Sequence, residues 1–431
     1  MVDTTKLSEL FSRNRQKLTG KLPQGSLAVL NSNDVFPRNG DQDFPFRQNS
    51  DLFYLTGIRQ EGTHLLISPD FPDKSMREIL FIRQTDPQTE QWEGKKLTPE
   101  EAADISGINT VRYAGTFDAV LNTLMSDAER VFLNSNEYPK YSNPVPYYDL
   151  RFAEQLRKKY PLHRFERLAP VLHQLRVVKE NAEVDLIRKA CTITGNAFKR
   201  VLQNLKPGMK EFEVQAEITY EFMKSGAFAY AYPPIIASGA RGCFLHYTEN
   251  NGLCRDNELL LMDFGAEYGN YAADVSRTVP VNGHFNKRQK ECYHSVLDVQ
   301  KRSIALFRPG TSINEINGRV NRMMEEEMIR LGLFSRGDVQ DQPTDKPLYL
   351  KYFMHGVSHF IGLDVHDAGS KYQELKPGMV LTCEPGLYLP DEHMGIRIEN
   401  VILVSEQDPV DLTAQIPRDL EEIEELMGRQ A

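Results

Sequence analysis

Two stretches of this chain repeat one pattern, and the repetition limits the folds open to it. ELLLMDFGAEYGNYAADVSRTVPV at 258–281 and MVLTCEPGLYLPDEHMGIRIENVILV at 379–404 each read as strand, Gly turn, strand. Each has one acidic residue just before the first turn and another inside the second strand: Asp263 and Asp274 in the first, Glu384 and Glu399 in the second. A second echo occurs in the same order. LKPGMKEFEVQAEITYEFMKSG at 205–226 and FRPGTSINEINGRVNRMMEEEMIRLG at 307–332 are each a turn leading into an amphipathic helix. Two copies of helices plus a hairpin predict a pseudo-two-fold α+β domain.

That domain does not fill the chain. At 431 residues the expectation is two domains. In the first part, short apolar runs at 27–34, 64–70, 78–84 and 130–136 read as strands, with helices at 97–105, 117–125 and about 150–159. This is the pattern of a small α/β unit. The Pro/Tyr/Asn-rich stretch 136–149 reads as a loop. From about residue 180 the character changes. Val184, Ile187, Cys191, Thr194, Phe198, Val201 and Leu205 form one stripe of a long helix that Pro207-Gly208 ends. The boundary is expected within 170–178, giving an N-terminal domain over 1–172 and a C-terminal domain over 173–431.

The chemistry concentrates in the second part. Asp263 closes the apolar run Leu259-Leu260-Leu261-Met262, and Glu384 closes Val380-Leu381-Thr382-Cys383. A carboxylate at the end of a buried strand is costly unless it is paired or bound to metal. Singly, each acid has a plain reading: Asp263 starting a turn, Glu384 pairing with Arg397, Asp274 bonding Thr278 or backbone. Four in duplicated positions point elsewhere, and a histidine-rich segment lies nearby. FMHGVSHFIGLDVHDAG at 353–369 places His355, His359 and His366 within 12 residues, in a protein with ten histidines. His246 lies in GCFLHYTEN at 242–250, ahead of the first hairpin. The spacing is not HExxH, which sets aside a thermolysin-like zinc site. Four carboxylates and a histidine suit hard or borderline divalent ions, Mn²⁺ first, with Co²⁺, Fe²⁺ and Zn²⁺ as alternatives. Two such ions would offset the four negative charges, and a closely spaced pair can activate water and polarise a carbonyl.

Composition removes other classes. A net charge of −9 argues against nucleic acid as a partner. No run approaches the roughly 18–20 apolar residues of a membrane span. Met1–Lys6 carries no apolar leader core, and five cysteines without CxxC spacing fit reduced thiols in the cytoplasm, with Cys383 as a buried strand residue.

Taken together, LHYTEN, LLLMDFGAEYGNYAADVSRTVPVNG, FMHGVSHFIGLDVHDAG, LTCEPGLY and GIRIEN resemble, in order, the motifs of the pita-bread metallopeptidases. FRQNSDLFYLTG at 46–57 and EQWEGKKL at 90–97 are similar to the aminopeptidase P branch of that family. The resemblance runs along nearly the whole chain. It implies a pita-bread catalytic domain behind a smaller α/β domain. It implies removal of the first residue from peptides with Pro at the second position, by a hydroxide held between two divalent ions. Asp263, Asp274, His359, Glu384 and Glu399 would be the ligands, with Asp274 and Glu399 bridging. His246, His355 and His366 would surround the substrate, Glu384 would accept the water's proton, and Arg397 would support the ligands from behind. Trp92 and Tyr388 would line the substrate pocket, Trp92 reaching it in tetrameric relatives from a neighbouring subunit. A homo-oligomer, dimer or tetramer, is implied as well. The chain departs from the family in a shorter stretch between Glu384 and Glu399 and in Asn400, where an acid is common. A prolidase specific for Xaa-Pro dipeptides would share all five ligands. A metal-free creatinase-like enzyme or a silent binding module would have lost some of them, and none is lost here.

Overall fold

The computed structural model describes residues 4–140 and 144–428, so part of the predicted 136–149 loop lies outside it, as do the first three residues. The chain divides into two compact units, Met1–Arg176 and Val177–Ala431. The division falls just after the helix Ala169–Arg176, which belongs whole to the first unit. Among the described residues no helix is long and apolar enough to cross a membrane.

The N-terminal unit is a mixed six-stranded sheet with helices. Its order is Thr110–Tyr113, Glu78–Ile82, His64–Ile67, Ser26–Asn31, Arg130–Leu133, Arg164–Arg167. The central strand Ser26–Asn31 is buried along its whole length and pairs antiparallel to one neighbour and parallel to the other. The four expected strands are the inner four. The two edge strands carry partly exposed, charged residues and no apolar run, which is how edges resist further pairing and why their sequence signal is weak. The helix Phe117–Met125 turns Phe117, Val120, Leu121 and Leu124 onto Val29, Phe81 and Val131 in one apolar cluster.

The C-terminal unit carries the duplication. The helix Asn181–Asn204 buries Val184, Ile187, Cys191, Thr194, Phe198 and Val201, the last two in the main core with Leu205 just past its end, and Glu211–Lys224 and Ile313–Arg330 are the two echoed helices. Each hairpin is more elaborate than strand–turn–strand. Leu259–Phe264 pairs antiparallel with Val275–Pro280, and inside them Ala266–Tyr268 pairs with Tyr271–Ala272. Likewise Val380–Cys383 pairs with Asn400–Leu403, enclosing Gly386–Leu389 paired with Met394–Arg397. The expectation that Asp274 and Glu399 lie within the second strands is therefore corrected. Each sits at the step from inner to outer pair, immediately before the strands that begin at Val275 and Asn400. Close packing forces the step in the first copy: a Cβ on Gly265 would lie 1.7 Å from the Ala273 carbonyl oxygen.

The two copies join along Val275–Pro280. The amide of Glu399 donates to the carbonyl of Ser276 at 3.1 Å, and the amide of Arg397 to Thr278 Oγ1 at 3.2 Å. Arg277, fully buried, locks the seam by donating to the carbonyls of Ser276 and Glu399 at 2.9 and 2.6 Å and of Pro417 and Ile416 at 2.8 and 3.3 Å. Burial lowers its pKa to about 10, so it stays charged at neutral pH. Replacing it with Met would take this donor away from the carbonyls of Glu399, Pro417 and Ile416. Arg277→Met is expected to lower unfolding free energy by about 3–5 kcal/mol, read by urea denaturation. A loss under about 1 kcal/mol would show that the seam does not depend on it.

Candidate metal centre

The seam is where acids collect. Asp274, His359 and Glu399 offer one ligand atom each within 4.8 Å of one another. Asp274 and Glu399 are 5% and 1% exposed. Glu384 joins them through His359, whose Nε2 lies 3.7 Å from Glu384 Oε1 and 3.3 Å from Asp274 Oδ2. Asp263 joins through Tyr232, whose hydroxyl is within hydrogen-bond reach of both Asp263 Oδ1 and Asp274 Oδ1. The five candidate ligands of the sequence thus approach one another from five separate segments of the chain.

Their orientation is fixed by donors around them. His359 directs Nδ1 at the carbonyl of Phe360, 3.1 Å away, which leaves Nε2 facing the acids as a neutral ligand would. Segment 357–359 is held against 382–384 by backbone bonds from Thr382 to His359 and from Glu384 to Val357, each 2.9 Å. Arg397 donates to Asp263 Oδ2 at 2.6 Å, to Ser276 Oγ at 2.7 Å and to Tyr388 Oη at 2.9 Å. Ser276 Oγ in turn donates to Glu399 Oε2 at 2.7 Å. Arg397 therefore pairs with Asp263, not with Glu384 as one plain reading of the sequence would have it.

The charges do not balance without cations. Burial first, then the Asp263 charge, raises the pKa of Asp274. Burial, then Asp274, Glu384 and Asp263, pushes Glu399 well above the carboxylate range. Burial raises Glu384 to about 7 against the pull of His359 and Arg397. Burial opposes a charged His359, yet its bond to Asp274 and the field of Glu384 outweigh that and raise it to about 9. Every shift draws a positive charge into the same space. Crowded oxygen donors with one imidazole are the donor set for divalent ions, and the residues fit that role.

The remaining candidates separate into two kinds. His355 is committed to the protein. Its Nδ1 faces the Gly356 carbonyl at 2.9 Å and its Nε2 the Tyr388 hydroxyl at 2.7 Å, and burial, then Arg397, lowers it to about 4. Tyr388 is fully buried in that network instead of lining an open surface. His366 and His246 are exposed; His366 stands edge-on to His359 with ring centres 4.5 Å apart. Trp92 belongs to the N-terminal unit, on the helix Pro87–Glu93, and is 82% exposed. Asn400 bonds Asp411 at 2.7 Å. Tyr232 was not singled out from the sequence. It is neither acid nor histidine, and its one signal is the Pro233-Pro234 pair that stiffens the chain after it.

Comparison with known proteins follows the same lines. Residues 185–406 match metallopeptidase family M24, and residues 11–132 match the aminopeptidase P N-terminal domain. The chain belongs to family M24, in its aminopeptidase P branch. The M24 chain is 37% identical to the Xaa-Pro aminopeptidase of Escherichia coli, over 97% of each protein. Among solved structures, zinc-substituted E. coli aminopeptidase P in complex with product superposes with a TM-score of 0.88 at 34% identity, over 98% of each chain. The E. coli enzyme with the inhibitor Pro-Leu gives 0.87 at 36%, again over 98% of each. M24 membership implies divalent metal ions.

Tyr232→Phe removes the hydroxyl shared by two candidate ligands and little else. It is expected to weaken metal binding about tenfold or more without lowering thermal stability, measured by titrating the metal-stripped protein. Unchanged affinity would count against the hydroxyl's part in holding the site.

Proposed function

We propose that this chain is an Xaa-Pro aminopeptidase that cleaves the bond between the first residue of a peptide and a proline at the second position, using two divalent ions. The observation that carries the reading is the convergence of Asp263, Asp274, His359, Glu384 and Glu399 at the seam between the two hairpins. Manganese is the first choice on the chemistry of four carboxylates and one imidazole. When bound, the ions supply a Lewis acid for the peptide carbonyl and lower the pKa of water.

The side chains do the rest. Asp263, Asp274, His359, Glu384 and Glu399 would hold the ions, Asp274 and Glu399 being the most enclosed of the five. Glu384 is held at the less buried edge, 3.9 Å from His355 Nδ1. It takes the proton of the attacking water and returns it to the departing nitrogen. Water oxygen adds to the carbonyl carbon, the C–N bond breaks, and proline's secondary amine leaves protonated. Charge develops on the carbonyl oxygen as water adds. His246 and His366, both exposed, are the side chains that would donate to it. Removing one such donor costs on the order of a hundredfold or more in rate. Arg397, Tyr388 and His355 form the rigid backing that keeps Asp263 and Glu384 in place. The ring of a second-position proline fixes φ, and the bond it closes has no N–H for a conventional peptidase to grip. The same chemistry on Xaa-Pro dipeptides alone would make the chain a prolidase.

Two measurements test the reading. Chelation should abolish cleavage of a Xaa-Pro-Xaa tripeptide and Mn²⁺ should restore it, with the Xaa-Pro dipeptide cut more slowly. Preference for the dipeptide would make the chain a prolidase, and activity that survives chelation would end the two-ion mechanism. His366→Ala should keep both ions by elemental analysis while kcat falls about a hundredfold. Near-normal turnover would remove His366 from the mechanism.

A further inference from the structure

His246 is an exposed side chain on an irregular loop, yet stabilising a developing charge requires a donor held in place before the charge appears. The loop's anchor lies outside the metal centre. Glu211 is the first residue of the helix Glu211–Lys224 and is 0% exposed. Its Oε1 accepts from the amide of Ser238 at 2.8 Å and from Arg241 Nε at 2.7 Å. Its Oε2 accepts from the Tyr247 hydroxyl at 2.8 Å and from the amide of Gly252 at 2.7 Å. Each oxygen takes two donors, the full capacity of a carboxylate. All four donors belong to the segment that carries His246, and the two amides are at its ends.

Neighbouring details follow from that grip. Arg241 lies so close over Gly252 that a Cβ there would sit 2.2 Å from its guanidinium carbon. The flanking residues Leu245 and Tyr247 pack against a cluster that contains Ile235, Leu261 and Tyr388. Ile235 is the strand partner of Asp263, and Tyr388 bonds Arg397, so the loop rests on the residues that hold the ligands.

We infer that Glu211 is a positioning residue for the reaction: its buried carboxylate cinches 238–252 into one loop geometry and so aims His246 at the substrate carbonyl. Glu211 touches neither ligand nor substrate and acts through His246 alone. The inference rests on the role proposed for His246, and the test separates the two. Kinetics would be measured on the manganese-loaded enzyme with a Xaa-Pro-Xaa tripeptide, alongside metal content and thermal stability. Glu211→Gln places amide hydrogens against donors and should lower kcat/KM about tenfold to a hundredfold, with both ions retained. Tyr247→Phe, which deletes one donor, should fold normally and cost about threefold to tenfold; it decides the matter if Glu211→Gln does not fold. In a His246→Ala background both changes should become silent, whereas in a His366→Ala background each should keep its full factor, as a cycle of coupled residues requires. General structural damage would multiply in both backgrounds. Undiminished losses on top of His246→Ala, or folded variants with unchanged kcat/KM, overturn the role of Glu211. Full activity of His246→Ala by itself overturns the role of His246, and this one with it.

Discussion

Four carboxylates held at a buried seam are the constraint around which this structure is arranged. Bringing like charges together out of water is unfavourable, and the shifts at Asp274, Glu384 and Glu399 all express it. Protein donors offset only part of that repulsion. Arg397 bonds the group at Asp263, His359 faces Asp274, and Ser276 and Tyr232 contribute neutral hydroxyls. The deficit is what makes the site a cation trap, so the instability and the function have one origin. The backbone must then resist the repulsion, which accounts for Arg277. It donates only to carbonyls and meets none of the acids directly, but it holds the Glu399 backbone to the strand that follows Asp274.

The duplicated hairpins were legible because burial and acidity recur at matched positions, and an acid that ends an apolar run is conspicuous in a sequence. Asp263 and Glu384 fall at the ends of the buried strands Leu259–Phe264 and Val380–Cys383. The placement of Asp274 and Glu399 was not legible in detail. Strict alternation puts each inside a strand, while the chain leaves the ladder beforehand, where Gly265 presses against the Ala273 carbonyl. Close contact between backbones has no period in sequence. It was visible only as a glycine, which a turn explains equally well. In the N-terminal unit the inner strands announced themselves by continuous apolar runs and the charged edge strands did not.

What sequence reading missed most is the set of side chains that act at long separation. Tyr232 links Asp263 to Asp274 across 31 and 42 positions, and Arg397 reaches back 134 positions to Asp263. No local pattern encodes such pairings. Residue type misled as well: a tyrosine in a Pro-flanked segment reads as packing. The family resemblance placed Arg397 behind the ligands, but its partner Asp263 follows from the fold of the other hairpin.

His355 and His366 show why a cluster of one residue type is not one role. They lie 11 residues apart in the histidine-rich segment, and the sequence treats them alike. In the fold, His355 spends both ring nitrogens on Gly356 and Tyr388, so it has no proton to offer a substrate without breaking the chain that leads back to Arg397. His366 lies just before Asp367, whose carboxylate is bound to Lys179 at 2.9 Å with both side chains 1% exposed. A Cβ on Gly362 would fall 2.2 Å from that carboxylate, so the loop closes tightly around the ion pair and leaves His366 outward. Breaking a buried pair of this kind leaves an uncompensated charge, at a cost of several kcal/mol. The fold therefore treats the two histidines oppositely. It commits the hydrogen bonds of the one that backs the ligands, and it anchors the residue beside the other, whose exposed ring stands edge-on to the ligand His359.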